Sequence, residues 1–381
     1  MTTTAAAPST NLTLASLTNP AQNLANREGI FASALDMTLA LSPVNNLTGG
    51  NTVRQLLENV GILQSLDVVV SMTVTNNAAT GGAALIPSPG FPYNLIDKIV
   101  FADYNRVERV SVTGTELWAR NCFRGAKIVY AAQNLLESSP NNNIAFAFPS
   151  SYTTGAIAAA TSATLSLYFR IPISMSRLTT MGALLMQGNG AQAFCNITLA
   201  QNSATGGYNF PFTGNYSITA ASVQVTQQYL QPQNAAAPLP AMDLSTIYEL
   251  AGNQQTSDNI AVGAPKYINI PNARTVHGVF ITFANGAYNY GSDLTSLKIR
   301  ASGNTYLNTD PLNVWLMKQR DMLGSDFIPG RYFADYSRTP ITTNYVGQFQ
   351  LELIPSSIGA SPSVNPVFES TYMVGTQLPG L

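Results

Sequence analysis

The chain is longer than one typical domain, weakly charged and close to neutral. Its 381 residues suggest two or three structural units, and its 10% of charged residues lies far below the ~25% of ordinary soluble domains. A net charge of −1, with acidic and basic residues scattered, argues against direct nucleic-acid binding, which needs a concentrated basic face. The neutral polar residues that replace the charges are easier to desolvate. The composition therefore favours a protein covered by other subunits, with a secreted β-protein as the alternative.

The amino-terminal 41 residues are predicted to form an arm followed by a helix. The stretch up to Thr18 has few bulky side chains and lacks the basic and apolar parts of a secretory signal. Asn19-Pro20 is typical of a helix start, and the apolar residues that follow recur at helical spacings, so the predicted helix runs over 20–41. It could pack on its own domain, on a neighbour or on a membrane surface. The residues that define it are Pro20, Leu24, Arg27, Phe31 and Leu35.

From residue 66 the hydrophobic period changes to two, which is typical of strands with one buried face. Residues 94–114 predict a hairpin: an apolar run, a turn at Asp103-Tyr104-Asn105 whose side chains can satisfy the turn backbone, and a second run with alternating valines. About eight strands without crossover helices indicate a two-sheet sandwich or a jelly roll. The other predicted strands are 66–75, 127–131, 144–148, 164–173, 194–199 and 223–229.

The second part of the chain begins after a predicted linker. Residues 231–240 contain three prolines and an alanine run. A short helix is predicted over 243–252, with Asp243 as its cap and Gly252 as its stop. A longer helix is predicted over 311–323, between Asp310 and Gly324, with an apolar side that includes Trp315. The predicted strands are 266–270, 276–284, 294–300, 345–354 and 367–374.

The two halves look like a repeat. Residues 276–291 alternate through Val279, Ile281 and Phe283 and contain an Asn-Gly turn at 285–286, so they are the predicted counterpart of the hairpin at 94–114. In both halves a strand is followed by a tryptophan and then by a long strand. The sequence therefore predicts the same β-domain twice.

No motif in the sequence requires catalysis. His277 is the only histidine and cannot make a multi-histidine metal site, so it is interpreted as a core or edge residue. Residues 188–193 fit the G-x-G-x-x-A pattern but lack the strand and helix of a nucleotide site, so a loop is expected. Asp97, Asp103 and Glu108 have bases among them and are interpreted as solvated ion pairs.

Cys122 and Cys195 are too few to build a disulfide framework. They are expected to be buried free thiols in a protein assembled in a reducing cytoplasm. Neither a cofactor nor a metal is expected, and no residue is proposed as catalytic.

Several segments, in chain order, resemble one family, the major capsid proteins of tectiviruses. These are tailless icosahedral bacterial viruses with a lipid membrane beneath the shell. The likeness does not extend to the loops at 76–92 and 201–216, so contacts made there do not carry over. The segments that carry it are 17–22, 59–63, 157–172, 239–250 and 310–333.

The resemblance implies an all-β double jelly roll: two tandem eight-stranded jelly rolls with a few short helices and an amino-terminal helix. The expected division is an arm and helix over 1–50, a first jelly roll over 51–232 and a second over 233–381. Three copies would form a homotrimer of pseudo-hexagonal outline that tiles a flat facet.

The resemblance also implies partners and a location. The expected partners are neighbouring capsid trimers, penton and minor capsid proteins, and the internal viral membrane, reached through the amino-terminal helix. Pro20, Leu24, Arg27, Phe31 and Leu35 would make this inner-face contact. The protein would reside in the virion capsid after assembly in the host bacterial cytoplasm. The alternatives are a β-sandwich receptor- or carbohydrate-binding spike, with an exposed aromatic platform, and an enzyme on a jelly-roll scaffold, with clustered histidines or carboxylates.

Overall fold

The computed structural model consists mainly of antiparallel strands joined by loops and turns. It describes residues 34–88, 91–124, 130–132, 156–176, 180–186, 190–205, 210–233, 246–252, 260–270, 273–284, 294–301, 305–308, 314, 317–318, 331–343, 349–358 and 362–373.

The first half of the chain contains thirteen strands in the described residues, a 3₁₀ turn at Tyr93–Leu95 and one α-helix, α1 (Gly114–Phe123). The strands are β1 (Ala34–Ala40), β2 (Val44–Leu47), β3 (Thr52–Leu56), β4 (Ile62–Asn76), β5 (Ile86–Pro87), β6 (Ile96–Ala102), β7 (Glu108–Val112), β8 (Tyr130–Ala132), β9 (Ser162–Pro172), β10 (Leu184–Leu185), β11 (Phe194–Leu199), β12 (Phe212–Thr213) and β13 (Tyr216–Pro232).

Eleven of these strands form two facing layers around one core, and β5 pairs with β12 in a separate two-stranded sheet. One layer has the order β1-β13-β4-β9-β8, with β2 beside β13 and β10 beside β4, and the other has the order β3-β11-β6-β7. The strand β4 shows why the layers pack, because Leu66, Val68 and Val70 are fully buried while the residues between them turn away from the core. Its partner β9 places Phe169 opposite Val68 in the same core.

The second half builds a smaller pair of layers. One has the order β14-β22-β16-β19, with β20 beside β16, and the other has the order β15-β21-β17-β18. Its own apolar core includes Ile281, Phe283 and Leu351. The strands are β14 (Thr246–Gly252), β15 (Lys266–Asn269), β16 (Thr275–Ala284), β17 (Leu294–Ala301), β18 (Thr305–Asn308), β19 (Arg331–Asp335), β20 (Ile341–Thr342), β21 (Phe349–Pro355) and β22 (Ser363–Met373).

The two halves share one topology. Eight main strands of each half, counted along the chain, pair in the order first, eighth, third, sixth in one layer and second, seventh, fourth, fifth in the other. This is the pairing of a jelly roll, so the chain is a double jelly roll, and the two halves are called the first and second barrels below. Additional short strands, β2, β8, β10 and β20, pair with main strands within these layers. The number eight therefore counts the main strands that the two barrels share. That each barrel has eight strands in total stays a prediction.

A single nine-stranded sheet runs through both barrels. Its path is β3-β11-β6-β7 from the first barrel, followed by β14-β22-β16-β19 from the second, with β20 at its side. The link is a parallel pair in which Leu250 and Ala251 of β14 lie opposite Val110 and Ser111 of β7. The barrels are therefore joined by backbone hydrogen bonds as well as by side chains.

The predicted amino-terminal helix is wrong for its last turns. Ala34–Ala40 forms β1, which pairs with β13 over all seven residues. Leu35, Met37 and Leu39 alternate as strand residues do, and β13 supplies the hydrogen-bonding partner that a local helical pattern cannot reveal. The rest of the predicted helix, including Pro20, Leu24, Arg27 and Phe31, lies outside the described residues.

The helix predicted over 243–252 is also wrong, because Thr246–Gly252 forms β14. This segment lies between β7 and β22, and both neighbours provide strand partners that are distant in sequence. In the helix predicted over 311–323, the three described residues, Val314, Met317 and Lys318, are helical.

The repeat is present, but its predicted alignment is wrong. The segment at 276–284 forms β16, the third strand of its barrel, whose counterpart is β4. The hairpin β6–β7 corresponds instead to β17–β18, the fourth and fifth strands. Apolar alternation is common to all these strands, so it cannot tell one from another. The strand predicted over 144–148 lies outside the described residues.

Candidate functional site

The two barrels meet where α1 of the first barrel lies on the outer face of the second. The layer β14-β22-β16-β19 turns one face to its own core, and its other face carries Tyr248, Phe280, Phe333 and Val367, which belong to the apolar cluster of the first barrel. A sheet buried on both faces is unusual for an antiparallel layer. We call this contact the inter-barrel joint.

Local sequence places α1 at the joint. Thr113 caps the helix: its hydroxyl accepts a hydrogen bond from the backbone of Glu116, and the Glu116 carboxylate accepts one from the backbone of Thr113. This capping box satisfies two helix-end donors that would otherwise be buried without a partner. The other oxygen of Glu116 accepts a hydrogen bond from Asn365 of β22, so the cap also contacts the second barrel.

An aromatic cluster forms the apolar part of the joint. Phe123, at the end of α1, lies with its ring centroid 4.9 Å from that of Phe333 and 6.2 Å from that of Phe280. Phe280 and Phe333 stack on each other at 4.3 Å. All three rings are buried, so they contribute apolar area and ring contacts between the barrels.

A buried carboxylate with two arginines forms the ionic part of the joint. Glu369 of β22 is 0% exposed. Arg120 of α1 donates from Nη2 to its Oε1 at 2.7 Å and from Nε at 3.1 Å. Arg124, just after α1, donates from Nε to Oε2 at 2.7 Å and also from Nη2. Tyr248 of β14 donates its hydroxyl to Oε1 at 2.7 Å, so both carboxylate oxygens are occupied.

The environment keeps this carboxylate charged. Burial alone would raise the pKa of Glu369, but Arg120 and Arg124, with the hydrogen bonds from Arg124 and Tyr248, lower it to about 2. Burial raises the pKa of the Tyr248 hydroxyl, which therefore stays a hydrogen-bond donor. The ion cluster is fully formed over the ordinary pH range.

Arg124 extends the cluster towards the edge of the second barrel. Its Nη1 donates to Oδ1 of Asp335 on β19 at 2.7 Å, and its Nη2 donates to the backbone carbonyl of His277 at 3.0 Å. The guanidinium also lies over the ring of Phe333, 5.1 Å from its centroid. This single arginine therefore contacts strands β16, β19 and β22.

His277 is a core residue, as the sequence predicts. It is buried, its Nε2 lies 2.8 Å from the Thr371 hydroxyl, and burial lowers the pKa of its imidazole. The ring is therefore neutral near pH 7 and adds no charge to the joint.

A glycine makes room for the arginines. Gly278 of β16 lies directly beneath the cluster, and a Cβ there would lie 2.9 Å from Nη2 of Arg124, 2.9 Å from the Phe333 ring and 3.2 Å from Oε2 of Glu369. Any larger residue would displace the ion pair. The absence of a side chain at this position is therefore part of the joint.

The arrangement holds two domains in a fixed relation, and its charged groups are satisfied by one another. In the part of the chain that the structure describes, no group of three or more His, Cys, Asp or Glu residues could hold a metal ion. None of the described helices is long and apolar enough to cross a membrane. Among the exposed large hydrophobic residues described, Tyr267 is the single aromatic, so these residues form no aromatic platform.

The residues predicted for inner-face contact are described only in part. Leu35 lies on β1 and is 46% exposed. Pro20, Leu24, Arg27 and Phe31 lie outside the described residues. The structure therefore places Leu35 on the edge of a sheet and leaves the contact itself as a prediction.

The predicted turn at Asp103 is confirmed, but the solvated ion pair is wrong for this residue. Oδ1 of Asp103 accepts from the backbone of Asn105 at 2.8 Å and of Val107 at 3.1 Å. Its Oδ2 accepts from Arg109 at 2.9 Å, and both side chains are buried. Arg109 also donates to the carbonyl of Gly182, in the turn before β10, at 3.1 Å.

The two cysteines are buried free thiols, as predicted. Burial raises the pKa of each to about 12, so neither is a reactive thiolate near neutral pH. In the G-x-G-x-x-A segment the described residues, 190–193, are a loop, as predicted.

Sequence reasoning missed the joint. Glu369 and Arg120 are 249 residues apart, and neither lies in a motif. One local signal was available, because Thr113-Gly-Thr-Glu116 before Leu117 and Trp118 has the pattern of a capping box and predicts α1. The position of the partner strand has no comparable local signal.

Comparison with known proteins gives consistent matches over most of the chain. Residues 32–235 match the family model described as P3 major capsid protein N-terminal, and residues 245–378 match the model described as P3 major capsid protein C-terminal. The chain is 26% identical over 320 residues to the major capsid protein P3 of Enterobacteria phage PRD1, with 79% of this chain and 78% of that protein covered.

Solved structures agree on the fold. The STIV MCP, from Sulfolobus Turreted Icosahedral Virus, superposes with a TM-score of 0.65 at 14% identity and covers 91% of this chain and 100% of its own. The PBCV-1 virus capsid model superposes with a TM-score of 0.55 at 12% identity, covering 88% of this chain and 94% of its own. At these identities the likeness concerns the double-barrel architecture.

Proposed function

The chain belongs to the P3 major capsid protein family, and from this premise we propose that it assembles as a homotrimer of pseudo-hexagonal outline that tiles an icosahedral shell. It is a structural major capsid protein, and its place is the virion capsid. The observation that carries the proposal is the inter-barrel joint. Two barrels of one topology are held side by side by a shared sheet, so three chains would present six similar barrels.

We propose the partners of the trimer on the same ground, the membership of the family. The trimers contact one another and, at the vertices and seams of the shell, penton and minor capsid proteins. The chain acts through assembly and carries out no catalysis, a proposal that rests on family membership. It needs no cofactor and does not bind nucleic acid directly, in keeping with its net charge of −1.

We also propose a division of the chain. The boundary between the barrels lies within 233–245, close to the prediction from the proline-rich segment. The first barrel begins at Ala34, because β1 and β2 both pair with β13. Residues 1–33 form an arm on the inner side of the shell, in which Pro20, Leu24, Arg27 and Phe31 contact neighbouring molecules or the internal membrane, with Leu35 where the arm joins the barrel.

Native mass spectrometry and electron microscopy of the purified protein test the oligomer. We expect a mass of three chains and particles of six-sided outline. A stable monomer at the concentrations used for assembly would contradict the proposal.

Removal of residues 2–33 tests the arm. The remaining chain retains β1 and every contact of the inter-barrel joint, so we expect folded trimers of normal mass. Shell assembly or association with vesicles should be lost, as measured by particle yield and by co-flotation with lipid. Loss of the trimer itself would show that the arm belongs to the trimer rather than to its surroundings.

A further inference from the structure

The shared sheet ends in the first barrel at a strand whose outer edge is free among the described residues. This strand is β3, and β11 is its one described strand partner. The backbone amide of Leu57 donates to the carbonyl of Ala193, and that of Leu199 donates to the carbonyl of Asn51. Odd-numbered residues of this segment therefore bond to β11. The backbone groups that point away from the sheet, ready to pair with another chain, belong to Thr52, Arg54 and Leu56.

Two guanidinium groups and an aromatic ring lie beside this edge. Leu56 is 47% exposed and lies opposite Phe194 of β11. The guanidinium of Arg54, an exposed residue of β3, lies over the ring of Phe194, 4.1 Å from its centroid. Arg106, in the turn between β6 and β7, is also exposed, and its guanidinium lies 5.5 Å from the same centroid. The free edge therefore has both cationic and apolar groups next to it.

Neither of these arginines forms an ion pair with a carboxylate in the part of the chain that the structure describes. Glu108, exposed at the start of β7, is not paired with Arg106 there. Other described arginines do form ion pairs with carboxylates of this chain, namely Arg109, Arg120, Arg124, Arg170, Arg274 and Arg300. Two like charges beside one ring repel each other, so Arg54 and Arg106 favour an anion from outside the chain.

The turn that carries Arg106 holds it in a strained backbone conformation. The φ angle of Arg106 is 66°, in the left-handed region that residues with a side chain rarely adopt. Its amide donates to the carbonyl of Asp103 at 3.0 Å, and the Asp103 carboxylate accepts from the amides on both sides of it. Arg109 fixes this carboxylate in turn. Strain of this kind is found where a side chain has to be positioned for binding, and here it places a second guanidinium beside Phe194.

We infer that the free edge of β3 binds an extended acidic segment of another protein, which adds a strand to the shared sheet. A carboxylate of this segment lies between Arg54 and Arg106, and an apolar side chain contacts Leu56 and Phe194. Because Arg54 and Leu56 are alternate residues on one face of β3, the acidic and apolar residues of the partner are also separated by one position. The inference goes beyond the proposed assembly, because the site lies within the first barrel and does not require the trimer.

Binding of a labelled model peptide to the full chain tests the site. The probe is Thr-Thr-Glu-Val-Leu-Thr, and fluorescence anisotropy measures its affinity. Replacing its Glu by Gln, or changing the protein by Arg54→Gln or Arg106→Gln, removes one charge-assisted contact, so we expect each to weaken binding about tenfold. Methylation of the backbone nitrogens of the peptide should abolish binding. Lys98→Gln is the control, because it removes the same charge from an exposed residue of β6, two strands from the edge.

Backbone hydrogen exchange of the unmodified protein locates the bound peptide without any variant. The amides of Thr52, Arg54 and Leu56 should exchange rapidly in the free protein, because they point away from β11. The peptide should slow all three. The amide of Val53, which bonds to β11, should be protected with and without peptide.

The outcomes separate this inference from the proposed trimer. Absence of binding at millimolar peptide, or equal binding of the Glu and Gln peptides, overturns the site. Protection of the three outward amides without peptide also overturns it: if removal of residues 2–33 abolishes the protection, the arm covers the edge, and if dilution does, a second copy covers it. Native mass spectrometry reports the oligomer independently, so a monomer that binds the peptide contradicts the trimer alone.

Discussion

The residue that balances the charges of the inter-barrel joint is Glu369. It is fully buried, and its two oxygens are shared between Arg120, Arg124 and Tyr248. A buried pair of this kind adds little over an apolar contact, but removing one partner leaves the other charges without compensation. The carboxylate therefore matters chiefly because the arginines are already buried.

Replacement of this carboxylate should be costly. Glu369→Gln keeps the shape but leaves the buried Arg120 without a counter-ion and Arg124 with Asp335 alone, so we expect the free energy of unfolding to fall by about 3–5 kcal/mol. Asp335→Asn is the matched control, since Asp335 pairs with the same Arg124 but is partly exposed, and its loss should cost about 0–1 kcal/mol. Denaturant unfolding measures both. Equal effects would show that burial of Glu369 is not decisive.

Acid should weaken the joint in a defined window. The pKa of Glu369 is lowered from 4.5 to about 2, so the unfolded chain binds its proton first as the pH falls. The stabilisation that Glu369 contributes is fully present above about pH 4.5, and it is lost progressively as the pH falls towards 2. The stability difference between the wild type and Glu369→Gln should therefore narrow over this range. A difference that stays constant from pH 5 to pH 2 would contradict the assignment.

At the scale of elements, α1 is the piece that the joint depends on. It is short, and isolated helices of its length are marginal in water, so its cap and its contacts with two barrels must hold it in place. Its first turn contacts β22 through Glu116, and its end contacts β16 and β19 through Phe123 and Arg124.

Loss of the cap should be measurable. Thr113→Ala removes the hydroxyl that accepts from Glu116, and we expect a loss of about 1 kcal/mol in the free energy of unfolding. Thr115→Ala lies in the same turn and removes one hydroxyl contact with Thr113, so it should cost less. Thermal unfolding measures both variants. If they lowered the unfolding midpoint equally, the capping box would have no special role.

Strands with strict alternation could be predicted from sequence, and those defined by a distant partner could not. The run Phe194–Leu199 has the predicted bounds, because its side chains alternate between core and surface. By contrast, Ala34–Ala40 and Thr246–Gly252 each follow a credible helix start, and only pairing with β13, β7 and β22 makes them strands. The capping box of α1 can be recognised in the sequence, but Arg120 and Glu369 are 249 residues apart and no local pattern indicates their contact.

At the scale of the whole molecule, the barrels should behave as one cooperative unit. They share a continuous sheet, and residues of the second barrel belong to the apolar cluster of the first. We therefore expect one calorimetric transition, with equal calorimetric and van't Hoff enthalpies per cooperative unit. Two resolved transitions in the wild type would show that the joint is weaker than the barrels themselves.

The parallel pair β7–β14 has a mechanical consequence for a shell built from this protein. Bending the molecule between its barrels would break backbone hydrogen bonds in the shared sheet, so each chain resists bending as a stiff plate does. The curvature of a closed container then has to be taken up at the boundaries between molecules. Facets would stay flat, and the angles between them would be set by whichever contacts lie at their margins.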